Sequence, residues 1–298
     1  MENKIYNNIL EILSKLKNNN LDFRWIFISP IGYCLIKTYV QDKGLNIKDC
    51  IFDDNVDWFL SQIGFYDWKY NLVNDYAIHN VSPIHTINSM SWEEIEQIVN
   101  KIYLQISSQL WNEYKTVVNK LNDALSELLN NIQHHAWTIE KWDEITENIP
   151  FNFSASQIYR NDETIHIAIV DSWVWIFSTI RKTNPSIWED VEKAIKLALK
   201  RWVSGASQIK KYYWIHNQWL GLPKTKDIIK NLEWELFIGT RDKLYYFSWK
   251  KDKEKIFDLP IKWKGTFLVL LVDYWHLASK IWQKNKNDYN ELDSLFVE

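Results

Sequence analysis

The sequence predicts an α+β protein: helices on one face of a mixed, mostly antiparallel sheet, preceded by a smaller α/β module. Three observations carry this expectation. Apolar residues recur at helical spacing through much of the first half. Short runs rich in Ile, Val, Phe and Tyr cluster in the second half, alternating with helical text. The 298 residues, 46% of them hydrophobic, suffice for two domains or one large core.

Taken in order, Glu2 to Lys17 places Ile5, Ile9, Ile12, Leu13 and Leu16 on one helical face, stopped by three asparagines at 18–20. Phe23 to Ile28 reads as a buried strand, and Ser29-Pro30 as an N-cap with proline opening a helix to about Val40. A strand over I-K-D-C-I-F and a helix over Val56 to Ile63 complete an N-terminal module assigned to 1–88. Ser91 and Glu94 form a capping-box pattern that opens a helical lead-in over 89–110, with a break near Ser107 to Asn112 and a second helix to Ala136. H-I-A-I-V at 166–170 is a strand, Asp190 to Lys200 and Pro223 to Leu232 are helices, and E-L-F-I-G, K-L-Y-Y-F and T-F-L-V-L-L-V are three further strands. The second domain is assigned to 89–283 and a polar tail to 284–298.

Lys plus Arg (35) nearly balance Asp plus Glu (38), so the net charge of -3 gives no broad attraction to nucleic acid or an anionic membrane. The apolar run Phe267 to Val272 ends at Asp273, far short of the ~20 residues of a membrane span. Two cysteines, Cys34 and Cys50, cannot make a zinc site alone, and M-E-N-K-I-Y is no signal peptide. A cytoplasmic protein with reduced thiols is expected.

Four blocks carry the chemistry. In E-L-L-N-N-I-Q-H-H-A-W, Glu127, Asn131 and His135 follow at i, i+4 and line one helical stripe. A carboxylate there can accept a proton from an attacking water or hydroxyl, and an amide oxygen can ligate Mg2+; a solvated helix face is the alternative. I-H-I-A-I-V-D-S-W-V-W-I delivers Asp171 at the end of a strand, N-Q-W-L-G-L-P-K-T-K runs a loop into a helix whose free N–H groups suit an anion, and W-K-G-T-F-L-V-L-L-V leads a last strand with Gly265-Thr266.

One count is out of line: 18 Trp against 7 Gly, where an average usage of about 7% corresponds to roughly 20 glycines. With glycine written for tryptophan the blocks become ELLNNIQHHAG, DSGVGI, NQGLGLPKTK and GKGTFLVLLV. These closely resemble the N box, two glycine boxes and terminal Gly-Thr strand of the GHKL superfamily of gyrase-like, heat-shock-chaperone, histidine-kinase and mismatch-repair ATPases. The resemblance spans about Ser126 to Val272 and implies a Bergerat-type α/β sandwich that binds ATP with Mg2+. It implies Glu127 as general base, Asn131 as the Mg2+ ligand and His135 beside the nucleotide. It makes Asp171 the acceptor of the adenine amino group and Thr266 a second adenine contact through water. Trp173 and Trp175 would occupy the glycines beneath the nucleotide, Trp219, Leu220 and Gly221 the loop around the phosphates, and the stretch with Lys200, Arg201, Ser204, Gly205, Lys210 and Lys211 a lid.

Tryptophan stands in glycine's place at 137, 173, 175 and 219, and at the turn-like positions 202, 214 and 234. The reading is that UGA codons meaning glycine in the source are written here as tryptophan, with Trp92, Trp111, Trp275 and Trp282, in helix-like contexts, as the genuine indoles. The expected function is a Mg2+-ATP-dependent ATPase or protein kinase acting on a protein partner or phosphoryl acceptor. The alternatives are a nucleotide-gated interaction protein that does not turn over, or an inactive scaffold if every indole is genuine. An orthodox histidine kinase is disfavoured, because no histidine precedes His134 on the helix from Glu93. F-I-S-P-I-G in the N-terminal module resembles the strand-to-helix step of STAS-type regulatory domains.

Overall fold

The computed structural model describes residues 2–66, 81–82, 84–86, 92–109, 121–122, 124–126, 128–129, 152–172, 180, 184–187, 190–200, 226–227, 229–230, 234–248 and 253–275. The fold is α+β. Its centre is an antiparallel sheet of β1 (His85–Thr86), β2 (Asn152–Tyr159), β3 (Thr164–Asp171), β4 (Glu235–Ser248) and β5 (Lys253–Asp273), in the order β1-β2-β3-β5-β4. Every pairing within it is antiparallel, where a mixed sheet was expected. β2 was not anticipated, because N-F-S-A-S-Q-I-Y alternates small polar residues with few large apolar ones. The expected strands E-L-F-I-G and K-L-Y-Y-F are two halves of one strand, β4, joined across a register shift at Thr240 and Arg241.

Among the described residues, the helices with defined ends are α1 (Glu2–Lys17), α2 (Pro30–Asp42), α3 (Asp54–Gln62), α4 (Trp92–Gln109) and α5 (Val191–Ala198). α1 covers the span read from its apolar face. α2 opens at Pro30 as expected, although Ser29 does not cap it; its Oγ instead donates to Asn8 Oδ1 of α1 at 2.6 Å. α5 is capped by Asp190, which accepts from the Lys193 N–H at 2.9 Å. Among the described residues no helix is long and apolar enough to cross a membrane.

Both faces of the sheet are covered, not one. Ile165, Ile167 and Ile169 of β3 and Leu268, Leu270 and Val272 of β5 pack beneath α4, α5 and the helical residues Leu121, Leu125 and Leu128. The alternate residues Ala168, Val170, Phe267, Val269 and Leu271 pack beneath α1 and α2 in a second apolar cluster. The physical reason lies in strands that are apolar at consecutive positions, since a strand buried on both faces cannot alternate with polar residues. The N-terminal helices thus form a layer on the same sheet, over its second face. α1 reaches the outer half of β5, where the Tyr6 and Phe257 rings meet at 4.4 Å.

The expected strand over Phe23 to Ile28 does not form. Pairing there is limited to an isolated parallel bridge between Asp22 and Ile51, and at Trp25 the chain turns with φ +66°. The I-K-D-C-I-F stretch likewise starts as a 3-10 turn over Ile47–Asp49. Among the described residues of 1–88, the one regular strand is β1, and it belongs to the central sheet.

Candidate functional site

Apolar residues dominate both faces of the sheet until one end, where three adjacent strands each place a polar residue. On β3 the helix-facing parity of Ile165, Ile167 and Ile169 continues to Asp171. On β5 the parity of Leu268 and Leu270 runs back to Thr266, and on β4 that of Leu236 and Ile238 runs on to Thr240, which pairs with Thr266. Asp171, Thr266 and Thr240 therefore form a row across β3, β5 and β4 beneath the helical layer. All three are buried.

The row is held through a single peptide unit. The Thr266 N–H donates to Asp171 Oδ1 at 3.1 Å, and the carbonyl at the other end of that peptide, Gly265 O, accepts from Thr240 Oγ1 at 3.1 Å. Gly265 is required for the approach, because a Cβ there would stand 1.9 Å from the carbonyl oxygen of Asp171. Thr266 Oγ1 is buried and has no hydrogen-bond partner among the described residues. A buried hydroxyl left unpaired costs about 1–3 kcal/mol, and this one stands on the strand position next to the Asp171 carboxylate. Chemically, a carboxylate accepts hydrogen bonds and a hydroxyl gives or accepts one, which suits an edge carrying an N–H donor next to a ring-nitrogen acceptor.

Beneath the same strand ends, on the opposite face, lies a cleft of about 370 Å³ lined by Ser172, Gly265, Tyr39, Asp42, Lys43 and Lys264, among others. The Lys264 ammonium pairs with Asp42 at 2.7 Å and ties α2 to the strand segment that carries Gly265.

Other reactive groups in the described residues are muted by burial. The Cys34 thiol is pushed well above its ordinary range, and that of Cys50 up to about 12, so neither is a thiolate at neutral pH. Burial holds His85 down to about 4, with Lys101 adding to the effect, and His166 down to about 3 despite Asp162. Both imidazoles are neutral at pH 7 and lie away from the row, His85 on the edge strand and His166 tilted against the Tyr159 ring with centroids 4.3 Å apart. Among the described residues no group of three or more His, Cys, Asp or Glu is placed to hold a metal ion.

Of the residues singled out in the sequence, Asp171 and Thr266 are described and lie in contact. Glu127, Asn131, His135, Trp173, Trp175, Trp219, Leu220 and Gly221 lie outside the described residues, as does most of the expected lid. Around the first of these, Leu121, Asn122, Ala124 to Ser126, Leu128 and Leu129 are helical, and the leucines and Ala124 are buried in the layer above the row. Thr240 was missed. Its signal was a lone threonine at the inward parity of E-L-F-I-G-T, just before the charged R-D-K. No family model, no curated protein and no solved structure matches the chain.

Proposed function

We propose that the protein binds Mg2+-ATP at the helix-facing end of the sheet as a GHKL-type domain and uses it for hydrolysis or phosphoryl transfer in regulation of a protein partner. The observation that supports the reading is the buried contact between Asp171 and Thr266, with the Thr266 hydroxyl left for a ligand. Adenine offers an amino donor beside the N1 acceptor, matched by a carboxylate that accepts and a hydroxyl that donates directly or through water. Guanine presents a carbonyl where the carboxylate lies and is penalised. In this reading the N-box helix supplies Asn131 to Mg2+ and Glu127 as the base that takes a proton from the attacking water or hydroxyl, with His135 further along the same stripe. Bound Mg2+ would neutralise phosphate charge.

The reading takes glycine at 137, 173, 175 and 219, encoded by UGA, and the described tryptophans support it without reference to any nucleotide. Trp25 has φ +66°, a conformation in which glycine is at ease and a bulky side chain is strained, and its indole is 90% exposed. The two fully enclosed indoles, Trp234 and Trp263, each bury an N–H with no acceptor among the described residues, which native tryptophans avoid. The test is a calorimetric titration of Mg2+-ATP and Mg2+-GTP against the full chain carrying glycine at the four positions: ATP must bind more tightly. Absence of ATP binding to that chain overturns the proposal.

A further inference from the structure

We propose that Thr240 is a positioning residue for base recognition, an inference that rests on the nucleotide reading above. The Thr240 hydroxyl bonds a backbone carbonyl and not the Thr266 hydroxyl that would meet the base. It acts on the peptide between Gly265 and Thr266, whose carbonyl accepts from Thr240 Oγ1 while its N–H donates to Asp171 Oδ1, each at 3.1 Å. A donor on the carbonyl polarises the peptide and strengthens the N–H at its other end, so the threonine hydroxyl fixes both the angle and the strength of the bond that orients the carboxylate.

Two features make this clamp necessary. The ladder between β4 and β5 loses its register immediately after the Thr240–Thr266 pair, and the next residue, Arg241, has φ +51°, so regular pairing does not hold the peptide from that side. On the other side Gly265 lies against the Asp171 backbone with no room for a Cβ, and any rotation of the peptide is passed to Asp171. Thr240 has no exposed surface, and its hydroxyl is spent on a carbonyl beside the register shift that follows the Thr240–Thr266 pair. A threonine serving only to satisfy a carbonyl would affect stability and leave base preference alone.

The experiment compares Thr240→Val, Thr240→Ser and Asp171→Asn in the full chain with glycine at 137, 173, 175 and 219, measuring Mg2+-ATP and Mg2+-GTP affinity and the urea midpoint. Valine keeps the volume and removes the donor; it is expected to weaken ATP about 10-fold and to narrow the ATP-to-GTP preference by a similar factor. Serine restores the hydroxyl and is expected to bind ATP within about 2-fold of the parent. Should valine prevent folding, Thr240→Cys replaces the hydroxyl by a weak donor of similar size and is expected to fall between serine and the valine expectation. Unchanged ATP affinity and preference in the valine or cysteine variant, with ATP binding lost in Asp171→Asn, would overturn the positioning role and leave the nucleotide site standing. Unchanged binding in Asp171→Asn as well would remove the nucleotide reading itself.

Discussion

Gly265 and Gly44 are both glycines for a structural reason, but for different reasons, and the difference can be measured. At Gly265 a Cβ would lie 1.9 Å from the Asp171 carbonyl oxygen, 2.6 Å from its carbon and 2.8 Å from Oδ1, against the roughly 3.5 Å at which non-bonded heavy atoms rest. β3 is flanked by β2 and β5, and β5 by β3 and β4, so neither strand can retreat without breaking a ladder. Gly265→Ala therefore carries an overpacking cost of about 1–3 kcal/mol. Parting the strands also removes the Thr266 N–H bond to a buried carboxylate, a further loss of about 1.5–3 kcal/mol. The expected total is roughly 2.5–6 kcal/mol. Gly44 has φ +62° and nothing within 4 Å of a Cβ, so Gly44→Ala should cost about 1 kcal/mol of left-handed strain. Urea unfolding followed by far-UV circular dichroism gives both values from midpoints and slopes. An alanine at 265 that costs no more than one at 44 would refute the close contact between Gly265 and Asp171 on which the site geometry depends.

Two further predictions concern stability. His85 and His166 are held near 4 and 3 by burial, against 6.5 when free, so above pH 6.5 both states are neutral and neither residue contributes a pH dependence. As pH falls below 6.5 the unfolded chain binds protons that the folded chain refuses, and stability drops until the folded values are passed. At pH 5 the loss is about 2 kcal/mol for each histidine; His166→Phe should shrink the change in urea midpoint between pH 7 and pH 5, and an unaltered change would count against a buried neutral imidazole. Trp25→Gly should raise stability by about 1 kcal/mol by relieving the left-handed strain, and the coding DNA should carry UGA at that position; a loss of stability together with a UGG codon would show the indole to be native.

Where the sequence could be read, it was through periodicity and end signals. α1 and α2 followed from apolar spacing and from Ser29-Pro30, and α5 from Asp190, because these signals are local. Tertiary pairing is not local: β2 escaped because its inward residues Ala155 and Ser154 are small, and β4 was split in two because a bulge at Arg241 looks like a turn between strands. The strand expected at Phe23 to Ile28 failed at Trp25, whose φ no sequence period reveals. Coverage of both sheet faces was written in the continuous apolar runs Ile165 to Val170 and Phe267 to Val272. Of the polar row, Asp171 and Thr266 were singled out through motif order, whereas Thr240 was not, since a bond to a backbone carbonyl 25 residues away leaves no local signal.

That Asp171 reads an adenine edge is the proposal on which the nucleotide assignment turns. Its most direct test is isothermal calorimetry of Mg2+-ATP binding to the full chain, with glycine at 137, 173, 175 and 219, beside the same chain carrying Asp171→Asn. The asparagine keeps the shape, lacks the charge and can present a donor where an acceptor is needed, so ATP affinity should fall at least 10-fold, the loss of one charge-assisted hydrogen bond. Equal affinity for ATP in the two chains would contradict the account.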